Sequence, residues 1–145
     1  MARYIRQRPP RWFQPVCLVA AAWGLFCSFF FLRHLLFGPA AMGPPTPADI
    51  RAFEALPRWY GPVYGLAVTT TTLGGFALMA RAAGARMLFA VSLAALLVQF
   101  AWLLLGTPLL GLKGGAALVF PAFLIAVAAL ETWFTHKARR RGWIS

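Results

Sequence analysis

Long apolar runs separated by short polar clusters organise this chain. Residues 16–37 form the first run, 59–80 the second, 87–105 the third and 115–134 the fourth. Each is about as long as the roughly 20 residues a helix needs to cross a hydrocarbon core. The pattern predicts an all-α membrane protein with four transmembrane helices. Residues 1–15 are expected to form a basic, Pro-rich N-terminus, 16–136 the transmembrane domain and 137–145 a basic tail. A signal peptide is the competing reading of the first run. The run is long and aromatic, no lipobox precedes either cysteine and the sequence begins at Met1, so it is expected to remain as a span.

Between the first two runs, GPAAMGPPTP reads as a bend. A short helix is expected over residues 47–56. Thr46 would be its N-cap, Pro47 would sit in its first turn and Asp49 near its positive end. Ile50, Phe53 and Leu56 share one side, as in an amphipathic helix lying on a membrane surface. Residues 81–86 read as a tight turn that makes the second and third spans antiparallel neighbours. Gly106-Thr107-Pro108 closes the third span, and Pro121 should kink the fourth or sit in its first turns.

Small residues recur on several predicted faces. Ala20, Gly24 and Ser28 lie on the first span, and Gly61, Gly65, Thr69, Thr72 and Gly75 on the second. Ala122, Ala126 and Ala129 lie on the fourth. Such stripes let helices approach closely in lipid. In the third span, Ser92, Ala95, Gln99 and Trp102 share a face. Gln99 should point inward, because its amide is costly against hydrocarbon. Trp59, Tyr60 and Trp143 suit the interfacial aromatic belt.

Composition agrees with a lipid environment. The 145 residues are 61% hydrophobic and only 12% charged, against about 25% charged in a soluble domain. The net charge is +11, but the cations sit in clusters between apolar runs. That arrangement points to lipid headgroups rather than nucleic acid. Arg8, Arg11, Arg139, Arg140 and Arg141 are the expected headgroup contacts. Counting Arg3, Arg6, Arg8, Arg11, Arg81, Arg86, Lys137, Arg139, Arg140 and Arg141 against Arg33, Arg51, Arg58 and Lys113 predicts cytoplasmic N- and C-termini.

Candidate chemistry is sparse. Cys17 and Cys27 would be about 15 Å apart along one helix, too far for a disulfide. His34 and His136 belong to opposite ends of the bundle, so they cannot both ligate one haem within one copy. No cluster has metal-site spacing. No Gly-rich phosphate loop, nucleophile elbow or paired mid-membrane carboxylate appears. No catalytic, cofactor or metal site is therefore expected, beyond bound lipid. Glu131 is the one acid within a span. It reads as an ion-paired or snorkelled carboxylate, or alternatively as a coupling group. The Thr69–Thr72 run reads as internally hydrogen-bonded, or alternatively as part of a ligand path.

From about residue 48 onward the chain resembles a family of small four-helix bacterial inner-membrane proteins, labelled hypothetical or sugar-transporter-like. The resemblance rests on DIRAFEALPRW, the Gly-rich second span, the basic turn, LFAVSLAALLVQF and the ending ARRRGWIS. It implies the four-helix fold and a multi-pass inner-membrane location, and brings no catalytic residues. The Pro-rich N-terminus departs from it. The leading expectation is a non-catalytic accessory subunit packed against other integral membrane subunits, with a respiratory or photosynthetic host. The alternative is a small homo-oligomeric transporter or ion-coupled permease with Thr70, Gln99 and Glu131 on its path. A quinone- or lipid-pocket protein is a third, weaker reading.

Overall fold

The computed structural model describes residues 7–145, so the calls on Arg3 and Arg6 lie outside the described residues. The described chain is helical without strands. Its long helices are α1 (Phe13–Phe37), α3 (Tyr60–Met79), α4 (Ala85–Leu105) and α6 (Ala116–Arg140). The short ones are a 3-10 turn (Gly38–Ala40), α2 (Pro47–Glu54) and α5 (Leu109–Lys113). Three helical stretches, Phe13–Ala40, Ala85–Leu105 and Ala116–Arg140, are long and apolar enough to cross a membrane. The 20-residue α3 is not among them, because four threonines and four glycines dilute its hydropathy.

The helices follow from local sequence. Pro15 is tolerated in the first turn of α1, where backbone N–H groups have no intrahelical partner. The helix therefore starts three residues before the predicted span. Gly38 ends it with φ 55°, and the Gly38 N–H donates to the His34 carbonyl. At α2 the Thr46 side chain accepts from the Asp49 N–H, and the Asp49 carboxylate accepts from the Thr46 N–H at 2.9 Å. This reciprocal capping box supports a helix of only eight residues. Pro121 lies in the second turn of α6 without ending it.

The long helices alternate in direction and pack in chain order. α3 packs against both α1 and α4, and α6 packs against α4. α1 and α6 meet mainly through aromatic side chains, such as Trp23 against Phe123 at 5.9 Å. Small residues set the α1–α3 distance. A Cβ on Gly24 would lie 2.6 Å from Thr72 Cα, and one on Gly75 would lie 2.7 Å from Ala21 Cα. Gly65 faces the Phe31 ring, while Gly61 has nothing within 4 Å and takes no part in this packing. Gly74, outside the expected stripe, receives the Phe89 ring of α4.

One end of the bundle carries both ends of the described chain, Gln7 and Ser145. There α3 and α6 stop in matching reversals. The Ala82 N–H donates to the Ala77 carbonyl and the Trp143 N–H to the Ala138 carbonyl. The left-handed positions are Arg81, at φ 58°, and Gly142, at φ 68°. The second reversal turns Trp143 and Ile144 back into the core, with 5% and 1% exposure. They join Phe13, Cys17, Leu78, Ala85, Phe89 and Ala138. Trp143 thus sits inside rather than in an interfacial belt, because Gly142 aims it at Phe13, 5.8 Å away. The expected tail from residue 137 is still helical through Arg140.

Candidate functional site

The opposite end holds the loops, and beneath them lies a cavity of about 430 Å³. α1, α3, α4 and α6 supply its walls, and the α1–α2 connection with α2 and α5 supplies its rim. α2 is fastened onto this end. Ala52 is buried, and the Phe53 ring packs on His34 at 5.5 Å. Lys113 of α5 pairs with Asp49, the one ion pair among the described residues. Ile50 stays outward, 39% exposed. Hydrogen bonds from Lys113 and Thr46 hold the Asp49 carboxyl below the usual range, at about 2.

The cavity wall is largely aromatic and apolar. The His34 ring lies 5.2 Å from that of Tyr64 and 6.3 Å from that of Tyr60. Gln99 is buried as expected, at 3% exposure. Its Nε2 donates to the Tyr60 hydroxyl at 3.1 Å, and its Oε1 is buried without a partner. Tyr60 was expected in the aromatic belt beside Trp59. It is instead 6% exposed and paired to Gln99. The signal in the sequence was its spacing of four from Tyr64, which puts both phenols on one helical face.

Three of the four hydroxyls of the threonine run are satisfied within the bundle. Thr70 Oγ1 donates to the carbonyls of Leu66 and Ala67, at 2.7 and 3.1 Å. Thr72 Oγ1 reaches the Gly24 carbonyl of α1 at 3.0 Å and lies 2.9 Å from Ser28 Oγ. Thr71 meets Ser92 of α4. Thr69 points outward. Thr70, Gln99 and Glu131 are not brought together. Gln99 lines the cavity and Thr70 does not. Glu131 lies two turns beyond Leu124, the last residue of α6 at the cavity, about 10 Å along the axis. No cation pairs with it among the described residues.

The remaining candidates divide by face. Ala122 and Ala126, expected to pack between helices, are exposed, and so is Ala129. No helix of the described chain covers them, because α6 turns its other side to α4. Arg8, Arg11, Arg140 and Arg141 are exposed at the terminus-bearing end and Arg139 is half-buried there. Arg141 rests over the Trp143 ring at 5.4 Å. Both cysteines are free thiols. His34 and His136 sit at opposite ends, and no group of three His, Cys, Asp or Glu among the described residues has metal-site geometry. No family model, curated protein or solved structure matches this chain.

Proposed function

We propose that this chain is a four-span inner-membrane protein that serves as a non-catalytic accessory subunit, packed against other integral membrane subunits. The observation that carries this reading is the bare face of α6. The close-packing residues Gly24, Gly65 and Gly75 are consumed between α1 and α3. The matching stripe of Ala122, Ala126 and Ala129 has no partner in the described chain. Lipid tails gain nothing from smooth alanine surfaces, whereas a second helix does.

α3 fits as the fourth span. α1 and α4 flank it, so its threonines are largely kept from lipid, and a shielded helix needs less hydropathy than an exposed one. With four spans, the excess of cations at the terminus-bearing end supports a cytoplasmic location for that end. The resemblance to small four-helix inner-membrane proteins is consistent with this arrangement.

The test is purification of the native protein in mild detergent, with sizing and identification of co-purifying chains. A stable membrane partner is expected, lost in Ala122→Phe/Ala126→Phe while the variant stays folded. A lone monomer, or a complex indifferent to those substitutions, overturns the proposal.

A further inference from the structure

We propose that the loop-end cavity binds a hydroxylated aromatic ring carried on an apolar chain, such as an alkylphenol or a quinol. Its volume of about 430 Å³ lies within the range of sites that enclose a small organic molecule. Phe30, Tyr64, Phe100 and Phe120 line it, and aromatic walls favour a flat ring. Asp49 and Lys113 at the rim neutralise each other, leaving no free charge there to select an ionised ligand.

Gln99 supplies the specificity. It lines the cavity at 3% exposure, with Oε1 buried and unpartnered. The Tyr60 oxygen accepts from Gln99 Nε2, so the phenolic proton is free to donate. A ligand hydroxyl entering at this pair would meet one acceptor and one donor side by side. A hydroxyl is the small neutral group that complements both. Turning the Gln99 amide over changes which atom is orphaned but leaves one donor or acceptor needing a partner, and a hydroxyl satisfies either. An amide buried with its carbonyl oxygen unpartnered is costly unless a ligand completes it.

The experiment uses the full chain in lipid nanodiscs, titrated calorimetrically with empty nanodiscs subtracted. Three probes separate ring from hydroxyl: 4-octylphenol, octylbenzene and 1-octanol. Octylphenol should bind at least about 10-fold more tightly than either of the others. Gln99→Leu should erase its advantage over octylbenzene, and Tyr60→Phe should reduce it. Equal binding of octylphenol and octylbenzene to the wild-type protein overturns the hydroxyl site. Equal binding of octanol overturns the ring. Octylphenol uptake no greater than by empty nanodiscs overturns the whole proposal. The wild-type comparison decides the matter even if a variant does not fold.

Discussion

The hydroxyls of Thr71 on α3 and Ser92 on α4 lie 2.5 Å apart, and both reach the Ala67 carbonyl, at 2.9 and 3.0 Å. One carbonyl thereby anchors two helices at a buried depth, where no water competes. Thr71→Val and Ser92→Ala should each destabilise the bundle. A double-mutant cycle, measured by unfolding in mixed micelles, should give a coupling of roughly 0.6–1.7 kcal/mol. A coupling near zero would mean that each hydroxyl is satisfied by its own helix.

Two glycine substitutions should behave oppositely. Gly24→Ala places a methyl 2.6 Å from Thr72 Cα, so α1 must move off α3 and break the Ser28–Thr72 contact. The expected cost is about 1–3 kcal/mol. Gly61→Ala meets nothing within 4 Å and should be neutral or stabilising by up to about 1 kcal/mol. Thermal unfolding of the two variants side by side checks the contrast.

Arg81 ties the two ends of the described chain together. Its Nε donates to the Trp143 carbonyl at 2.7 Å and its Nη2 to the Gln7 carbonyl at 3.0 Å. Its own carbonyl accepts from the Ser145 N–H at 3.0 Å. Yet it stands at φ 58°, a region that disfavours residues with a side chain by about 1–2 kcal/mol. Arg81→Ala should lose the guanidinium bonds and keep the strain, whereas Arg81→Gly loses the bonds and relieves it. The Gly variant should therefore be the more stable of the two by about 1 kcal/mol. Both should speed amide exchange at Trp143 and Ile144.

The clasp of α2 onto α5 should be acid-sensitive. Asp49 is held down to about 2 by Lys113 and then by Thr46, below the roughly 3.9 of a free aspartate. A depressed folded value means that the contribution is full above the unfolded value and is lost as pH falls from about 4 to about 2. Amide exchange in α2 should rise across that window. Asp49→Asn should exchange faster at neutral pH and show no such step.

Much of the architecture is written in local sequence. Hydropathy runs mark helices, because backbone groups in lipid must be satisfied within the segment. The α2 cap needs only Thr46 and Asp49, three residues apart. Gln99 points inward because hydrocarbon offers its amide nothing, a constraint carried by the residue itself. None of these required knowledge of a distant neighbour.

What faces what was decided only by tertiary packing. In lipid, apolar side chains gain little from choosing one helix face over another, so periodicity does not label the interior. The sequence offers Gly61, Gly65 and Gly75 as equals, but only the last two meet α1, because the contact begins below Gly61. It offers Ala122 and Ala126 as a packing face, and the α4–α6 contact leaves that face bare. Tyr60 and Trp143 read as interfacial anchors, and both are drawn inward by partners far along the chain. Tyr60 bonds to Gln99, 39 residues away, and Trp143 joins Phe13 through the turn at Gly142. Such pairings depend on helix rotation and offset, which a linear pattern of apolar residues does not encode.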